Sequence, residues 1–409
     1  MRFEHEPDLR IDMLRYLSLS LTHIFLFGLA LLGCQTDDDL EPEFSADCLV
    51  AASQNNGQIV AGAYIITYQP TQILPAAATA RIAAAESLAE QFLSGRKIAN
   101  VQAEVLTTGA QTTFLAHLTQ AESQSLGQDP SVMTVEPDRI MSICGCVDVA
   151  TTSTLTWNVS GTGYGRGDLQ TTKTAWIIDT GIDLDHPDLN VDVARSKSFV
   201  SGQTSAEDEN GHGTHVAGIV GAINNTIGIT GIASGAKLVA LRVLDNEGEG
   251  RLSGIIQAVN HVIQNGRAGD VVNLSLGGEG ISATLERTIR QAANAGILFA
   301  IAAGNDGKDV ASYSPARVNH ANVFTVSAMD QNNRFASFSN YGSSVDVCAF
   351  GVRIRSTYSQ GRYATLSGTS MAAPHVAGLL LIRGTNLPMH GKVSGDPDAV
   401  SDPMLGEIQ

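Results

Sequence analysis

Apolar and polar positions divide the chain into stretches of different rhythm. Residues 17–33 are almost wholly apolar and end in Leu31-Leu32-Gly33-Cys34. From about 58 to 143, short runs of strand-like composition enclose an Ala-rich segment of helical spacing. Short runs of strand-like composition read as strands, and apolar recurrence at i, i+3 and i+4 predicts a helix. Residues 64–68 therefore read as a strand, 76–93 as a helix, and 101–118 as two strands about a turn at Gly109. A short helix over 119–127 and a strand over 132–141 complete a βαββαβ order.

From 152 to 385 the rhythm changes. Continuous apolar runs at 175–178, 238–243, 271–276, 298–302 and 323–328 are those of strands covered on both faces. Helical patterns at 215–222, 252–265 and 283–295 lie between them. This alternation predicts an α/β fold, a mostly parallel sheet with helices on both faces. Functional residues in such a fold gather at the carboxyl ends of the strands. Residues 386–409, rich in Gly, Pro and Asp, read as a flexible C-terminal tail.

The apolar stretch closing residues 1–33 reads as a signal peptide, with a single membrane-anchor helix as the alternative. Its Leu-x-Gly-Cys ending resembles a bacterial lipobox, which implies a lipid anchor at Cys34. The acidic residues before Met13 do not suit a signal, and Met13, followed by Arg15, is an alternative start. Residues 34–57, with Asp37, Asp38, Asp39 and Glu41, read as an acidic tether. The formal net charge of the 409 residues is −16, which disfavours a nucleic-acid partner. The five cysteines form no zinc framework, because Cys144 and Cys146 are one residue apart with no paired histidines near them.

Four positions carry candidate chemistry. Asp179 ends a buried strand, where a turn aspartate is the plainer explanation. His212 stands at a helix entrance in Asn210-Gly211-His212-Gly213-Thr214-His215. His215, His186 and His375 read as structural. Ser370, in Gly368-Thr369-Ser370-Met371-Ala372-Ala373-Pro374, opens an apolar helix whose first N–H groups are unpaired and positively polarised. Alone it would be a capping serine. Asn305 follows the run 298–302 in a turn, where its amide could donate to a developing oxyanion.

Together, and in the order Asp, His, Ser, these segments resemble the three signatures of the subtilisin-like serine peptidases. The resemblance spans about 152–385 and implies a serine endopeptidase acting on polypeptides. It implies Ser370 as nucleophile, His212 as general base and acid, Asp179 as its orienter, and Asn305 as oxyanion donor. Ser275, Leu276, Gly277 and Gly278 would bind the substrate backbone and wall a specificity pocket, with Ala302, Ala303 and Gly304 opposite. Small residues there imply a preference for apolar or aromatic side chains before the cut. Tyr313-Ser314-Pro315-Ala316 resembles the pocket floor of proteinase K. No acidic residue is seen near enough to charge the pocket.

A structural calcium is implied next. Residues 223–229 resemble the family's calcium loop, with Asp188, Asn225 and the carbonyls of Ile223, Ile227 and Ile229 as ligands. The ferredoxin-like segment 58–143 resembles an inhibitory and chaperoning propeptide. That implies a self-processed zymogen, cut between about Met141 and Thr156. Neighbouring first and last strands of such a segment would bring Cys48 near Cys144 or Cys146, and Cys348 reads as a buried free thiol. The chain end lacks the further helix usual after the serine helix. The expectation is an exported monomer at the cell surface or outside it. Two rivals are a catalytically silent surface lipoprotein and an inhibitor-like protein that never sheds 58–143.

Overall fold

The computed structural model describes residues 55–406, other than 71, 73, 99–100, 144–147, 150–155 and 165–170. They belong to one compact unit that begins at Leu49. The expected signal, the Cys34 anchor, most of the tether and the residues Cys48, Cys144 and Cys146 lie outside the described residues. No helix among the described residues is long and apolar enough to cross a membrane.

The first elements follow the predicted order. They are β1 (Ile59–Tyr68), α1 (Ala78–Ser94), β2 (Ala103–Thr107), β3 (Thr112–His117), α2 (Gln120–Gly127) and β4 (Val132–Ser142). Thr119 and Glu122 start α2 with a reciprocal capping box. β1 lies between β3 and β4, antiparallel to both, and β2 joins the far side of β3. Consecutive residues leave this sheet on opposite faces. Ile66 and Phe114 pack with Leu93 and Leu126, whereas Ile65 and Leu115 join a second core.

The chain continues through β5 (Asp148–Val149), α3 (Trp157–Gly161), β6 (Thr174–Asp179), β7 (Lys197–Ser198), α4 (His212–Gly221), β8 (Lys237–Arg242), β9 (Glu249–Arg251) and α5 (Leu252–Asn265). Then come β10 (Val271–Leu274), β11 (Gly278–Glu279), α6 (Ala283–Asn294), β12 (Leu298–Ala302), β13 (Tyr313–Ser314), β14 (Val323–Met329) and β15 (Val347–Phe350). A hairpin of β16 (Ile354–Tyr358) and β17 (Arg362–Leu366) precedes α7 (Thr369–Arg383), β18 (Met389–Lys392) and β19 (Pro403–Leu405).

Among the described residues, nine strands form the main sheet in the order β18-β19-β15-β14-β12-β10-β6-β8-β7. From β7 to β19 the neighbours are parallel. The apolar runs are continuous because both faces are buried. Ala175 and Ile177 enter the core shared with α4 and α7, while Trp176 and Ile178 enter the one shared with α5 and α6.

The expectation of a flexible tail over 386–409 is corrected. β19 joins the sheet beside β15 and pairs with β18, and Asp402 accepts a 2.6 Å hydrogen bond from the Ser327 hydroxyl. Asp402, Met404 and Leu405 are buried, in a run too short and too polar to stand out in the sequence. The β16/β17 hairpin was likewise not predicted. Cys348 is a buried free thiol, as expected, and burial pushes its pKa up.

Candidate active site

Asp179 is the last residue of β6, so the sheet delivers its carboxylate to the carboxyl edge. Its Oδ1 accepts from Thr180 N–H at 2.7 Å and lies 2.8 Å from His212 Nδ1. Asp179 is 0% exposed and His212 3%, so the pair is shielded from water. Helix α4 begins at His212 itself, three residues before the predicted start.

The start of that helix is held by Asp208, which sequence reasoning missed. Asp208 Oδ1 accepts from the Thr180 hydroxyl and from the N–H groups of Asn210 and Gly211. Its Oδ2 accepts the N–H and hydroxyl of Thr214. Thr180 Oγ1 in turn accepts from Gly213 N–H at 2.9 Å, which ties the Asp179 turn to the His212 helix. A Cβ on Gly213 would lie 2.1 Å from the Gly181 carbonyl, so this approach requires glycine. Asp208 looks like one more exposed acid in Glu207-Asp208-Glu209, and nothing in that run marks the middle residue.

Ser370 is the second residue of α7 and 3% exposed. Pro374 lies inside this helix and has no N–H to give the carbonyl four residues back, which is that of Ser370. Ser275 fills the vacancy. Its hydroxyl donates to the Ser370 carbonyl at 2.8 Å, and the Ser370 hydroxyl donates to the Ser275 carbonyl at 3.1 Å. The buried His212 Nε2 has no hydrogen-bond partner among the described residues.

Asn305 Oδ1 accepts from Thr369 N–H at 2.8 Å and from its hydroxyl at 2.9 Å. Fixing the oxygen this way leaves the amide nitrogen as a donor for something else. A second residue missed by sequence reading, Asn340, shapes the turn. Its Nδ2 donates to the Ala303 carbonyl, and its Oδ1 accepts from the N–H groups of Asp306 and Lys308. Asn340 is 30 residues from Ser370, the nearest of the four candidates. Only folding brings it there.

A cavity of about 30 Å³ beside Ser370 gathers the predicted pocket residues Ser275, Leu276, Gly277, Gly278, Ala302, Ala303, Gly304 and Asn305. Tyr313 and Ala316 line it as expected. The expectation of a pocket without acid nearby is corrected, because Asp306 lines the same cavity. Asp306 directly follows Asn305, in a turn whose direction the sequence does not show.

The end of β4 runs into this cavity. Ile140, Met141 and Ser142 pair antiparallel with Arg251, Gly250 and Glu249, and Ser142 bridges Gly277 on the other side. Ile143 N–H donates to the Gly248 carbonyl at 3.2 Å, and Ser142 and Ile143 line the cavity. A Cβ on Gly248 would meet Ile143 at 2.5 Å, so glycine makes the room. Farther back, Asp138 accepts from Ser253 N–H and hydroxyl at the start of α5. Glu136 accepts from Thr284 N–H at the start of α6. Both carboxylates thus face the positive ends of helices. Burial raises the pKa of each, and these hydrogen bonds oppose the rise.

The other histidines are structural, as expected. His215 Nε2 donates toward the carbonyls of Ile354 and Ala364, and burial lowers its pKa to about 3. His375 bonds Met371 O and Asn158, and burial lowers its pKa to about 4. His186 bonds the Arg362 carbonyl.

The expected calcium ligands do come together. Asp188 is buried, accepting from Asn225 Nδ2 at 2.9 Å, Ile229 N–H at 3.0 Å and Tyr363 hydroxyl at 3.2 Å. Burial raises its pKa. Asn225 Oδ1 accepts from Ile227 N–H, so the amide would have to turn to offer oxygen to a cation. Among the described residues no group of three or more His, Cys, Asp or Glu could hold a metal. The Asp188 carboxylate and, after that rotation, the Asn225 amide oxygen are donors of the kind that the hard, oxygen-seeking calcium ion takes.

The model of the Subtilase family matches residues 175–386. A thermostable alkaline protease of Halalkalibacterium halodurans is 40% identical over 279 residues, 67% of this chain and 73% of that protein. Subtilisin BL of Lederbergia lenta is 50% identical over 202 residues, 49% of this chain and 72% of its own. The crystal structure of a cold-adapted subtilisin-like serine proteinase superposes with a TM-score of 0.54 at 34% identity, covering 63% of this chain and all of the other. The chain therefore belongs to the subtilase family of serine endopeptidases.

Proposed function

We propose that the chain is an exported, self-processing endopeptidase that cuts polypeptides through an acyl-enzyme on Ser370. The observation that carries the reading is the buried 2.8 Å contact between Asp179 and His212, at a sheet edge shared with Ser370 and Asn305. Ser370 Oγ gives up its bond to Ser275 and passes its proton to His212 Nε2 as it attacks the substrate carbonyl. Asp179 holds the imidazole by Nδ1 and stabilises its cation. Asn305 Nδ2 and the Ser370 N–H receive the oxyanion, and loss of one such donor costs about 3 kcal/mol of transition-state stabilisation. His212 then protonates the leaving amine, and water hydrolyses the acyl-enzyme.

Residues 58–143 act as the propeptide. Their last strand lies between Gly250 and Gly277 as a substrate strand would, which supports a cut beyond Ile143 and within the stretch ending at Thr156. The apolar walls of the cavity favour an apolar side chain, or an apolar stem, before the cut. Calcium, when bound, supplies positive charge that compensates Asp188, with Asn225 and the carbonyls of Ile223, Ile227 and Ile229 as further ligands. Export, an anchor at Cys34 and a monomeric state complete the proposal. A fluorophosphonate probe should label wild type at Ser370, and intact mass should show that Ser370→Ala accumulates the unprocessed chain. Normal processing of purified Ser370→Ala would exclude self-processing, and an unlabelled wild type would favour a silent binding protein.

A further inference from the structure

The turn that carries Asn305 is held from two sides. On one side the nucleophile helix grips the Asn305 side chain. Thr369 N–H and hydroxyl both donate to Asn305 Oδ1, and Thr369 Oγ1 accepts from Gly304 N–H at 3.1 Å. On the other side stands Asn340, from the connection between β14 and β15. It is 0% exposed and is not among the residues that line the cavity beside Ser370. Its backbone N–H donates to the Gly304 carbonyl at 2.9 Å, and its Nδ2 donates to the Ala303 carbonyl at 3.0 Å. Its Oδ1 accepts from Asp306 N–H at 3.0 Å and from Lys308 N–H at 2.9 Å. Asn340 therefore bonds peptide groups on both sides of Asn305. The task needs a donor and a double acceptor on one short side chain, which is what asparagine offers. Gly304 leaves the space, since its Cβ would lie 2.4 Å from Asn340 Nδ2.

We propose that Asn340 is a positioning residue for the reaction at Ser370: it fixes the backbone of the Asn305 turn so that Asn305 Nδ2 meets the oxyanion as its charge develops. A donor of this kind accelerates the reaction because it is already in place and needs no ordering in the transition state. Thr369 fixes the side-chain oxygen and one N–H of the turn. The four bonds from Asn340 fix the peptide groups before and after Asn305. Without them the side chain keeps its partner on the nucleophile helix, but the main chain that carries it can shift. Asn340 is thus asked to act through Asn305 and on no other group of the reaction. The inference rests on the reading of Asn305 as oxyanion donor.

The test is a double-mutant cycle on the expressed full-length chain: wild type, Asn340→Ala, Asn305→Ala and the double variant, assayed on one peptide anilide. Titration with a fluorophosphonate probe counts the reactive serines, so that kcat refers to folded enzyme alone. Asn340→Ala should lower kcat about tenfold and change KM little, as a misplaced group does. In the Asn305→Ala background the same substitution should cost about twofold or less, because no donor is left to position. Asn340→Asp has the same shape and keeps the two accepted N–H bonds, so it should lose only about threefold in kcat. It carries the same cycle if Asn340→Ala yields no reactive serine. An equal loss of kcat in both backgrounds, or a loss confined to KM, means that Asn340 supports the fold alone and overturns the inference. An Asn305→Ala chain as fast as wild type overturns the oxyanion reading itself, and the inference falls with it.

Discussion

The two larger sheets among the described residues solve one problem in different ways. The nine-stranded sheet has both faces covered by helices from its own part of the chain. The small antiparallel sheet of β1 to β4 covers one face with its own helices, where Ile66 and Phe114 meet Leu93 and Leu126. An antiparallel sheet ordinarily leaves its second face to water. Here Ala63, Ile65, Leu106 and Leu115 on that face join the core of Leu252, Ile255 and Ile256 in α5. The first part is thus built to be held by the second, through an apolar face, two helix-capping carboxylates and a strand in the cleft. The larger part places its chemistry on its own strand ends and helix starts.

Three measurements would sharpen or break this contrast. The largest effect is expected from metal removal. If calcium supports the sheet-borne part through Asp188, chelation should lower its stability by about 4 kcal/mol from a metal concentration near a thousand times the dissociation constant. A melting temperature indifferent to chelator and added calcium would remove the site.

A smaller effect is expected at the seam. Glu136→Gln with Asp138→Asn removes charge from the starts of α6 and α5 and should weaken the hold of the first part by about 1–2 kcal/mol. After processing, less of segment 58–143 should coelute with the rest of the chain on size exclusion. Undiminished coelution would mean that the apolar face alone holds it.

The smallest effect concerns the sheet's far edge. Burial raises the Asp402 pKa to about 7, and Asp396 and Asp398 add to the rise. A carboxyl with a folded pKa above its unfolded one binds its proton more tightly when folded. Its ionisation therefore costs stability progressively as pH rises from about 4 to 7. Asp402→Asn should raise stability at pH 8 and leave it nearly unchanged at pH 4. Equal effects at both pH values would mean that Asp402 is ionised throughout, held by Ser327.

Much of this was legible in the chain. The strands of the main sheet could be read because burial on both faces makes 175–178 and 298–302 continuous apolar runs. The short motifs around Asp179, His212 and Ser370 were readable because each packs its requirements into a few consecutive residues. Residues 386–406 were misread. β18 and β19 are short, and their order comes from β15 and Ser327 rather than from their own pattern.

The sequence by itself determined the fold class, the family and the candidate Asp, His, Ser and Asn positions, since periodicity and local motifs are properties of neighbours along the chain. Only the tertiary structure decided what stands behind them. Asp208 joins the Asp179 turn to the His212 helix, and Asn340 shapes the Asn305 turn. Asp306 and Tyr313 give the pocket a polar end, and Ser275 answers the Ser370 carbonyl that Pro374 leaves free. These are contacts between distant segments. A hydrogen bond or a cavity wall of that kind exists only once the sheet has brought its partners within reach.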